Sequence, residues 1–190
     1  MFDLKKMSLG ASALVLALAM SACSPSDTDP DAGAGRPAEV NGVDTHFISM
    51  MTPHHVQAVE MSDIVLADPD VSPETRDVAQ RIKDGQQVEI DQMLAWGTEW
   101  QMDRDMAMHS KHVANGMLGT DEMAQLSQLS GAESEKLFLE LMVFHHEGAI
   151  GMTQGQVDGG GFAPLSELAQ EMITVQTAEV VEMNEILANL

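Results

Sequence analysis

The sequence has almost no cysteine. Its only thiol, Cys23, directly follows an uncharged run of small and apolar residues at 7–22, which itself follows Lys5 and Lys6. A basic start and a short apolar run are typical of a secretory signal peptide, and the run is too short for a comfortable membrane span. We therefore predict a signal peptide at 1–22 and a lipid on Cys23; the alternative is an incidental cysteine behind an ordinary signal peptide. With this thiol lipidated, neither a disulfide nor a thiolate metal ligand is left.

Lysine and arginine are also scarce, since 9 basic residues stand against 30 acidic ones and the formal net charge is -21. Such an acidic surface repels phosphate groups, which excludes nucleic acid as a partner and leaves the lipid anchor as the only expected membrane contact. Residues 23–41 have almost no large apolar side chains, so they predict a flexible acidic tether. Residues 42–190 are long enough for one folded domain with a sizeable core.

Catalytic sequence motifs are absent too. The chain shows no nucleophile paired with a base, no phosphate-binding loop and no cofactor motif. We therefore expect no turnover of a substrate. An enzyme that uses its histidines and glutamates as acid and base is kept as an alternative.

What the chain does have is a segment with two adjacent histidines that occurs twice, 91 positions apart. The first copy runs from Phe47 to Met61 and the second from Phe138 to Met152, and both keep Phe, Met, His-His, Ala and Met at matching positions. The repeat continues at 78–93 and 168–183, where Ala, Gln, Gln, Glu and Met recur. This duplication indicates one structural unit used twice.

Both copies have the period of amphipathic helices, and no strand pattern occurs. In the first copy the apolar residues and His54 fall on one stripe, with His55 at its border. Pro53 is expected to kink this helix or to mark an early turn. The opposite face carries Ser49, Thr52, Glu60 and Asp63.

Short links at 67–71 and 158–163 make consecutive helices antiparallel neighbours. We therefore predict an all-α four-helix bundle made of two repeated helical hairpins. Ser72 and Pro73 predict the start of the second helix, and Thr120 the cap of a short helix. The predicted parts are repeat one at 45–97, a crossover with methionines and histidines at 98–131, repeat two at 132–190, and within the crossover the short helix at 121–129.

Histidine and methionine are the candidate metal ligands. Met51 lies one helical turn before His54 and His55, and Met61 lies two turns after His54, so thioether and imidazole can converge. Histidines satisfied by water or backbone, and methionines that merely fill the core, are the alternative. Core filling explains the crossover methionines poorly, because Met102 and its neighbours stand among polar residues. The candidate ligands are Met51, His54, His55, Met61, Met142, His145, His146 and Met152, with His109, His112 and Met117 in the crossover.

Two polar residues recur on the apolar face of the second helix of each copy. Buried carboxylates normally have partners, and the histidines of the adjacent helix are the expected ones. A carboxylate or amide that accepts an imidazole N–H orients the other ring nitrogen toward a metal. A purely structural hydrogen bond is the open alternative. The residues expected to hold the histidines in this way are Gln86, Glu89, Gln176 and Glu179.

Thioether and imidazole without thiolate favour Cu(I) or Ag(I) over hard cations. Structural zinc would prefer cysteines or more histidines. A di-iron bundle needs Glu-x-x-His motifs, and neither Glu89 nor Glu179 has a histidine three residues later. Copper, most simply Cu(I), is therefore the predicted bound metal.

Four segments resemble the CopM-like family of secreted or lipid-anchored helical proteins, which is catalogued as a domain of unknown function: MMTPHHVQAVEM, LELMVFHHEGAIGM, NGMLGTDEMAQL and VQTAEVVEM. The resemblance covers about 45–190 and implies a ferritin-like bundle and a periplasmic copper-binding role linked to copper resistance. Val56 and Phe144 depart from the family in standing where polar residues are common. The positions that match the family motif are His54, His55, Met61, His145, His146 and Met152, with Met117 in the crossover.

Taken together, these patterns predict a lipid-anchored protein of the cell envelope that binds Cu(I), and also Ag(I) or Cu(II), for buffering, delivery or resistance. The expected partners are the metal ion and a copper exporter or another envelope metalloprotein. The alternative is a metal-free interaction module in which His and Met pack the core and the acidic surface meets a basic partner.

Overall fold

The computed structural model describes residues 35–102 and 115–190. The predicted signal peptide, the predicted lipidation site Cys23 and the crossover histidines His109 and His112 lie outside these residues. Within them the chain forms helices and no strand, which confirms the all-α prediction. None of these helices combines the length and the hydropathy needed to cross a membrane. The helices are α1 (Gly42–Ala67), α2 (Pro73–Glu99), α3 (Thr120–Gln128), α4 (Gly131–Gly159) and α5 (Ala163–Leu187).

The helices pair as the repeat predicts. Helix α1 packs along α2, and α4 packs along α5, so each copy of the repeat is a helical hairpin. The two hairpins meet mainly where α1 lies against α4, and α3 packs on both of these helices. One long crossover joins α2 to α4, which is the connectivity of ferritin-like bundles. The fold is therefore the predicted four-helix bundle.

The predicted start of α2 is confirmed, because the Ser72 hydroxyl accepts a hydrogen bond from the backbone N–H of Thr75 at 3.3 Å. The predicted start of α3 is shifted by one residue. Thr120 is the first helical residue, and Gly119 occupies the cap position. The Gly119 N–H donates to Glu122 Oε2 at 2.6 Å, so a carboxylate in the first turn satisfies the backbone of the cap residue, and no side-chain hydroxyl caps the helix.

Helix α1 continues through Pro53 without a break. The expectation that Ser49 and Thr52 lie on an exposed face is wrong, since both are buried. Helix α1 has α2, α3 and α4 as neighbours, so it buries more than one stripe. Each hydroxyl is satisfied within the helix, because Ser49 Oγ donates to Thr45 O and Thr52 Oγ1 to Ile48 O, both at 2.7 Å.

A buried acid in the first turn of α1 ties this helix to the other hairpin. Asp44 is fully buried and accepts hydrogen bonds from Gln156 Nε2 at 2.6 Å and from the Gly161 N–H at 3.0 Å. The Phe162 N–H donates to the same carboxylate. The start of α1 is thereby fixed to the turn between α4 and α5.

The second copy of the repeat also has a buried acid near the start of its first helix, and this acid contacts the turn of the first hairpin. Glu135 stands 91 positions after Asp44, the offset of the repeat. Its carboxylate accepts hydrogen bonds from the Ser72 hydroxyl and, at 2.6 Å, from Thr75 Oγ1. The start of α4 is thus fixed to the turn between α1 and α2. These reciprocal contacts set α1 and α4 antiparallel and fix their register.

Two hydrophobic clusters fill the bundle. One contains Ala58, Met61 and Val65 of α1 with Phe138, Leu139 and Met142 of α4. The other contains Phe47, Ile48 and Met51 of α1 with Ala149 of α4 and Leu165, Ala169 and Met172 of α5. Along α1 and α4, the two clusters lie on either side of the histidines.

The expectation that Met102 belongs to a polar, ligand-bearing segment is wrong. Met102 is 1% exposed and lies in the same cluster as Met51 and Trp100. Its N–H donates to Gly97 O at 2.8 Å, which extends the end of α2 and turns the side chain into the core. Adaptable core filling therefore accounts for this methionine.

Candidate metal centre

The duplicated histidines meet at the centre of the bundle. His54 on α1 and His145 on α4 face each other, with ring centroids 3.7 Å apart and an interplanar angle of 36°. The ring of His55 lies 6.5 Å from that of His54, and the ring of His146 lies 6.3 Å from that of His145. All four are at most 1% exposed. We call these four side chains the histidine quartet.

The outer two members of the quartet are each held by a carboxylate of the neighbouring helix. His55 Nε2 donates to Glu89 Oε2 at 2.7 Å, and His146 Nε2 donates to Glu179 Oε2 at 2.9 Å. A carboxylate only accepts, so Nε2 carries the hydrogen, and in a neutral imidazole Nδ1 then carries the lone pair. The carboxylates thus leave Nδ1 as the ligand atom, as second partners of metal-bound histidines do.

His54 is oriented by the backbone instead. Its Nε2 lies 3.0 Å from the carbonyl oxygen of Asn115, which can only accept. Asn115 and Gly116 both have positive φ, at 54° and 86°, and form a turn over the ring. His54 therefore also presents Nδ1, whereas no described residue gives either ring nitrogen of His145 a hydrogen-bond partner.

The turn over His54 is seated on both central helices. The side-chain amide of Gln57 bonds the backbone of Leu118 twice, from Leu118 N to Oε1 at 2.7 Å and from Nε2 to Leu118 O at 3.0 Å. On the α4 side, a Cβ added to Gly148 would lie 1.9 Å from the Asn115 oxygen. Only glycine at 148 admits the turn at this distance.

Burial keeps the central pair of the quartet uncharged. Desolvation lowers the pKa of His54 to about 3, and the charges that His55 and His146 would carry act in the same direction. Desolvation also lowers the pKa of His145 well below its usual value, with His54 as the next cause. Neutral imidazole is the form that binds metal, so protons do not compete for these two side chains at neutral pH.

Five ring nitrogens of the quartet are buried and have no hydrogen-bond partner in the part of the chain that the structure describes: Nδ1 of all four histidines and Nε2 of His145. An unsatisfied buried polar atom costs about 1–3 kcal/mol, and native proteins leave few of them. Five in one place are explained if the cluster has a ligand. The quartet therefore fits a metal ion by its donor atoms.

The histidines do not by themselves form a complete coordination sphere. In residues 35–102 and 115–190, no three His, Cys, Asp or Glu side chains are spaced to hold one ion. A metal at the quartet therefore needs thioether ligands or a rotation of the rings.

On each side of the quartet, a methionine from one copy of the repeat is paired with a methionine from the other copy. Met51 lies in one hydrophobic cluster, and the partly buried Met152 packs against that cluster. Met61 and Met142 share the other cluster. Each side of the quartet therefore has one methionine from α1 and one from α4, whereas the sequence suggested convergence within a helix. Met117 is partly buried in the segment between Gly116 and Leu118.

Some residues at the centre have roles that the sequence did not reveal. The Asn-Gly pair at 115–116 indicates a turn, but the sequence does not show that the Asn115 carbonyl contacts His54. Gly148 inside a helix hints at a close approach, without naming the partner. Gln86 and Gln176 were expected to hold histidines. The Gln86 Oε1 and both amide atoms of Gln176 instead have no hydrogen-bond partner.

The fold and the centre define a class of protein: an all-α bundle of two duplicated hairpins with paired histidines buried where the hairpins meet. The chain belongs to the DUF305 family, a domain of unknown function, whose model matches residues 44–187. This assignment confirms the resemblance to CopM-like proteins.

Solved structures of this family have the same fold. A DUF305 protein from Streptomyces coelicolor is 32% identical, with a TM-score of 0.70 over 80% of this chain and 95% of its own. A DUF305 fragment from Deinococcus radiodurans is 27% identical, with a TM-score of 0.68 over 80% and 99% of the two chains. CopM in its Cu(II)-bound form is 27% identical, with a TM-score of 0.66 over 77% and 96%. No curated protein matches the chain.

Replacing Gly148 by alanine is expected to displace the turn over His54. The added Cβ would lie 1.9 Å from the Asn115 oxygen, and such overpacking costs about 1–3 kcal/mol of unfolding free energy. Gly151 in the same helix is the matched control, because a Cβ there meets nothing within 4 Å and alanine should stabilise the helix by up to about 1 kcal/mol. Urea denaturation of both variants measures the difference. Equal stabilisation by the two substitutions would contradict the close contact.

Acidification from pH 7 to pH 5 is expected to destabilise the fold through His54 and His145. Their pKa values are lower in the folded protein than in the unfolded chain, where a histidine titrates near about 6.5. The unfolded state therefore binds protons first, and the free energy of unfolding falls as the pH falls below about 6.5, by up to about 1.4 kcal/mol per pH unit for each histidine. Urea denaturation at pH 7, 6 and 5 gives the free energy of unfolding at each pH. In the double variant His54→Gln/His145→Gln this free energy should fall less steeply with falling pH than in the parent. Identical slopes would mean that these rings are not held neutral.

Proposed function

We propose that this protein binds copper outside the cytoplasm, as Cu(I) at the histidine quartet with methionines of the two flanking clusters. The observation that carries the proposal is the set of five buried ring nitrogens without partners, concentrated where His54 and His145 lie 3.7 Å apart. Neutral imidazoles in a dry interior stabilise a bound cation far more than they would in water. The metal is cargo, and no turnover of a substrate is proposed.

The chemistry of the donors supports a soft cation. Imidazole and thioether suit Cu(I) and Ag(I), and the described residues contain no thiol that would attract zinc or an iron–sulfur cluster. Met51, Met61, Met142 and Met152 supply thioethers on both sides of the quartet, and Met117 directly follows the turn at 115–116. Glu89 and Glu179 hold the outer histidines, so their charge offsets that of a bound ion.

The relatives agree with this choice of metal. CopM has been solved with Cu(II), with Cu(I) and with silver, at 25–27% identity to this chain. We propose that the present protein takes the same ions. Thioether ligands exchange readily, which suits buffering and handing the metal to an exporter or another envelope metalloprotein. These roles are the ones that underlie copper resistance.

A metal-free interaction module is the competing function. The absence of a three-residue His, Cys, Asp or Glu group among the described residues favours it, as does the chain's formal charge of -21. In that case the quartet would be structural, and the acidic surface would meet a basic partner of the envelope. The two functions differ in whether the buried nitrogens bind copper.

An anaerobic titration with Cu(I) against a chromogenic chelator is expected to show at least one ion per chain with a dissociation constant below about 1 μM. The double variant His54→Ala/His145→Ala should bind about tenfold more weakly or worse, because it removes the two central ligands. His46→Ala, an exposed histidine on the same helix, is the matched control and should bind as the parent does.

Failure of the parent protein to compete with the chelator would favour the metal-free module. Circular dichroism of each variant separates lost binding from lost folding. If the double variant unfolds, Cu(I)-dependent thermal stabilisation of the parent still decides between the functions.

We also propose that the chain is anchored in the cell envelope by a lipid on Cys23. The basic start and apolar run before it support export, and the Streptomyces relative is described as secreted. Fractionation of expressing cells should place the parent with membranes and the Cys23→Ser variant in the soluble envelope fraction. The control substitution is Ser24→Ala, which keeps the cysteine. Equal partitioning of parent and Cys23→Ser would contradict lipidation.

A further inference from the structure

A second polar site lies on the far side of the carboxylates, between α2 and α5. These helices border a narrow cleft of about 50 Å³. Four of its lining residues form two repeat-related pairs: Gln86 corresponds to Gln176, and Glu89 corresponds to Glu179, each pair 90 positions apart. The duplication therefore brings two amides and two carboxylates to one place.

The carboxylates have oxygen atoms to spare in this cleft. Glu89 and Glu179 each use Oε2 for an imidazole, and among residues 35–102 and 115–190 no hydrogen bond or ion pair involves Oε1 of either residue. Their side chains are 18% and 11% exposed, so the cleft gives these groups access to solvent. Each copy of the repeat therefore contributes one carboxylate oxygen that no described residue hydrogen-bonds.

The amides are the independent observation that points to a ligand. Gln86 is 4% exposed and Gln176 is 3% exposed. Among the described residues, Gln86 Oε1 and both Oε1 and Nε2 of Gln176 have no hydrogen-bond partner. Buried amides without partners are costly, so two of them lining one small polar cleft indicate that it is occupied in solution.

The charge around the cleft selects a cation. Arg81 is the one basic residue in its lining, and its guanidinium is already bonded to Glu182 at 2.6 Å and to Asp77 at 3.3 Å. Those two acids together with Glu89 and Glu179 outnumber it four to one. The cleft is therefore negative within a chain that is itself strongly acidic.

We propose that the cleft between α2 and α5 binds one divalent cation with hard oxygen ligands, of the Ca²⁺ or Mn²⁺ type. The ligands are the amide oxygens of Gln86 and Gln176 and the free carboxylate oxygens of Glu89 and Glu179, with water completing the shell. Two carboxylates alone supply too few ligands to hold a divalent cation, so the amide oxygens are essential to the site. Soft Cu(I) has little preference for such an all-oxygen set, so this site and the histidine quartet take different ions.

The test is a titration of the full chain with Mn²⁺, followed by the electron paramagnetic resonance signal of free aqueous Mn²⁺. We expect one bound ion per chain, displaced by Ca²⁺. The double variant Gln86→Leu/Gln176→Leu keeps the side-chain volume but removes both amide oxygens, and it should weaken Mn²⁺ binding by about tenfold or more. The matched control is Gln80→Leu/Gln170→Leu, a repeat-related pair on the same helices that is exposed.

The proposal would be overturned if the parent did not bind Mn²⁺. It would also be overturned if parent, variant and control bound Mn²⁺ equally, because the ions would then be spread over the acidic surface. If the double variant does not fold, line broadening by Mn²⁺ in the unaltered protein decides. Amide signals at 85–89 and 175–179 should broaden first, and broadening spread over all acidic segments would also overturn the site. The Cu(I) affinity of the double variant should equal that of the parent, so this proposal and the copper proposal fail separately.

Discussion

The contact between the two hairpins depends on four buried imidazoles, of which the central two, His54 and His145, stay uncharged at neutral pH. His54 and His145 lie ring against ring, so a charge on either would face the other at short range in a dry interior. Their low pKa values remove that conflict at neutral pH, and the carboxylates of Glu89 and Glu179 hold the outer two rings from behind. The centre of the bundle is thus polar yet tightly packed. The two central imidazoles therefore suit a bound cation, because the neutral form of the ring is the one that binds metal.

The duplication fixes the register that brings these rings together. Asp44 ties the start of α1 to the turn of the second hairpin, and Glu135 ties the start of α4 to the turn of the first. Because the two ties act at opposite ends of the α1–α4 contact, a slip by one helical turn would break both at once. The hydrophobic clusters between each tie and the quartet fill the remaining length. Register is therefore specified by polar contacts, while the apolar clusters fill the interior on either side of the quartet.

Much of this could be predicted from the sequence, because it is local or repeated. The helices, the hairpins, the buried histidines and the carboxylates facing them follow from helical period and from the matched offsets of the two copies. The burial of Ser49 and Thr52 could not be predicted, since the helical period of the apolar residues identifies a single buried face, whereas α1 packs against three neighbouring helices. The core position of Met102 and the carbonyl of Asn115 over His54 depend on where the crossover returns to the bundle. Contacts of that kind are set by tertiary packing alone.

Among the described residues, the carbonyl of Asn115 is bonded to only one of the two repeat-related central histidines. It fixes the hydrogen of His54 on Nε2, but it leaves its repeat-related counterpart His145 with neither nitrogen committed. The two halves of the centre are therefore unequal in freedom: one central imidazole is preorganised with a single donor atom, and the other can offer either edge of its ring. A centre built from two copies of one repeat is therefore directional.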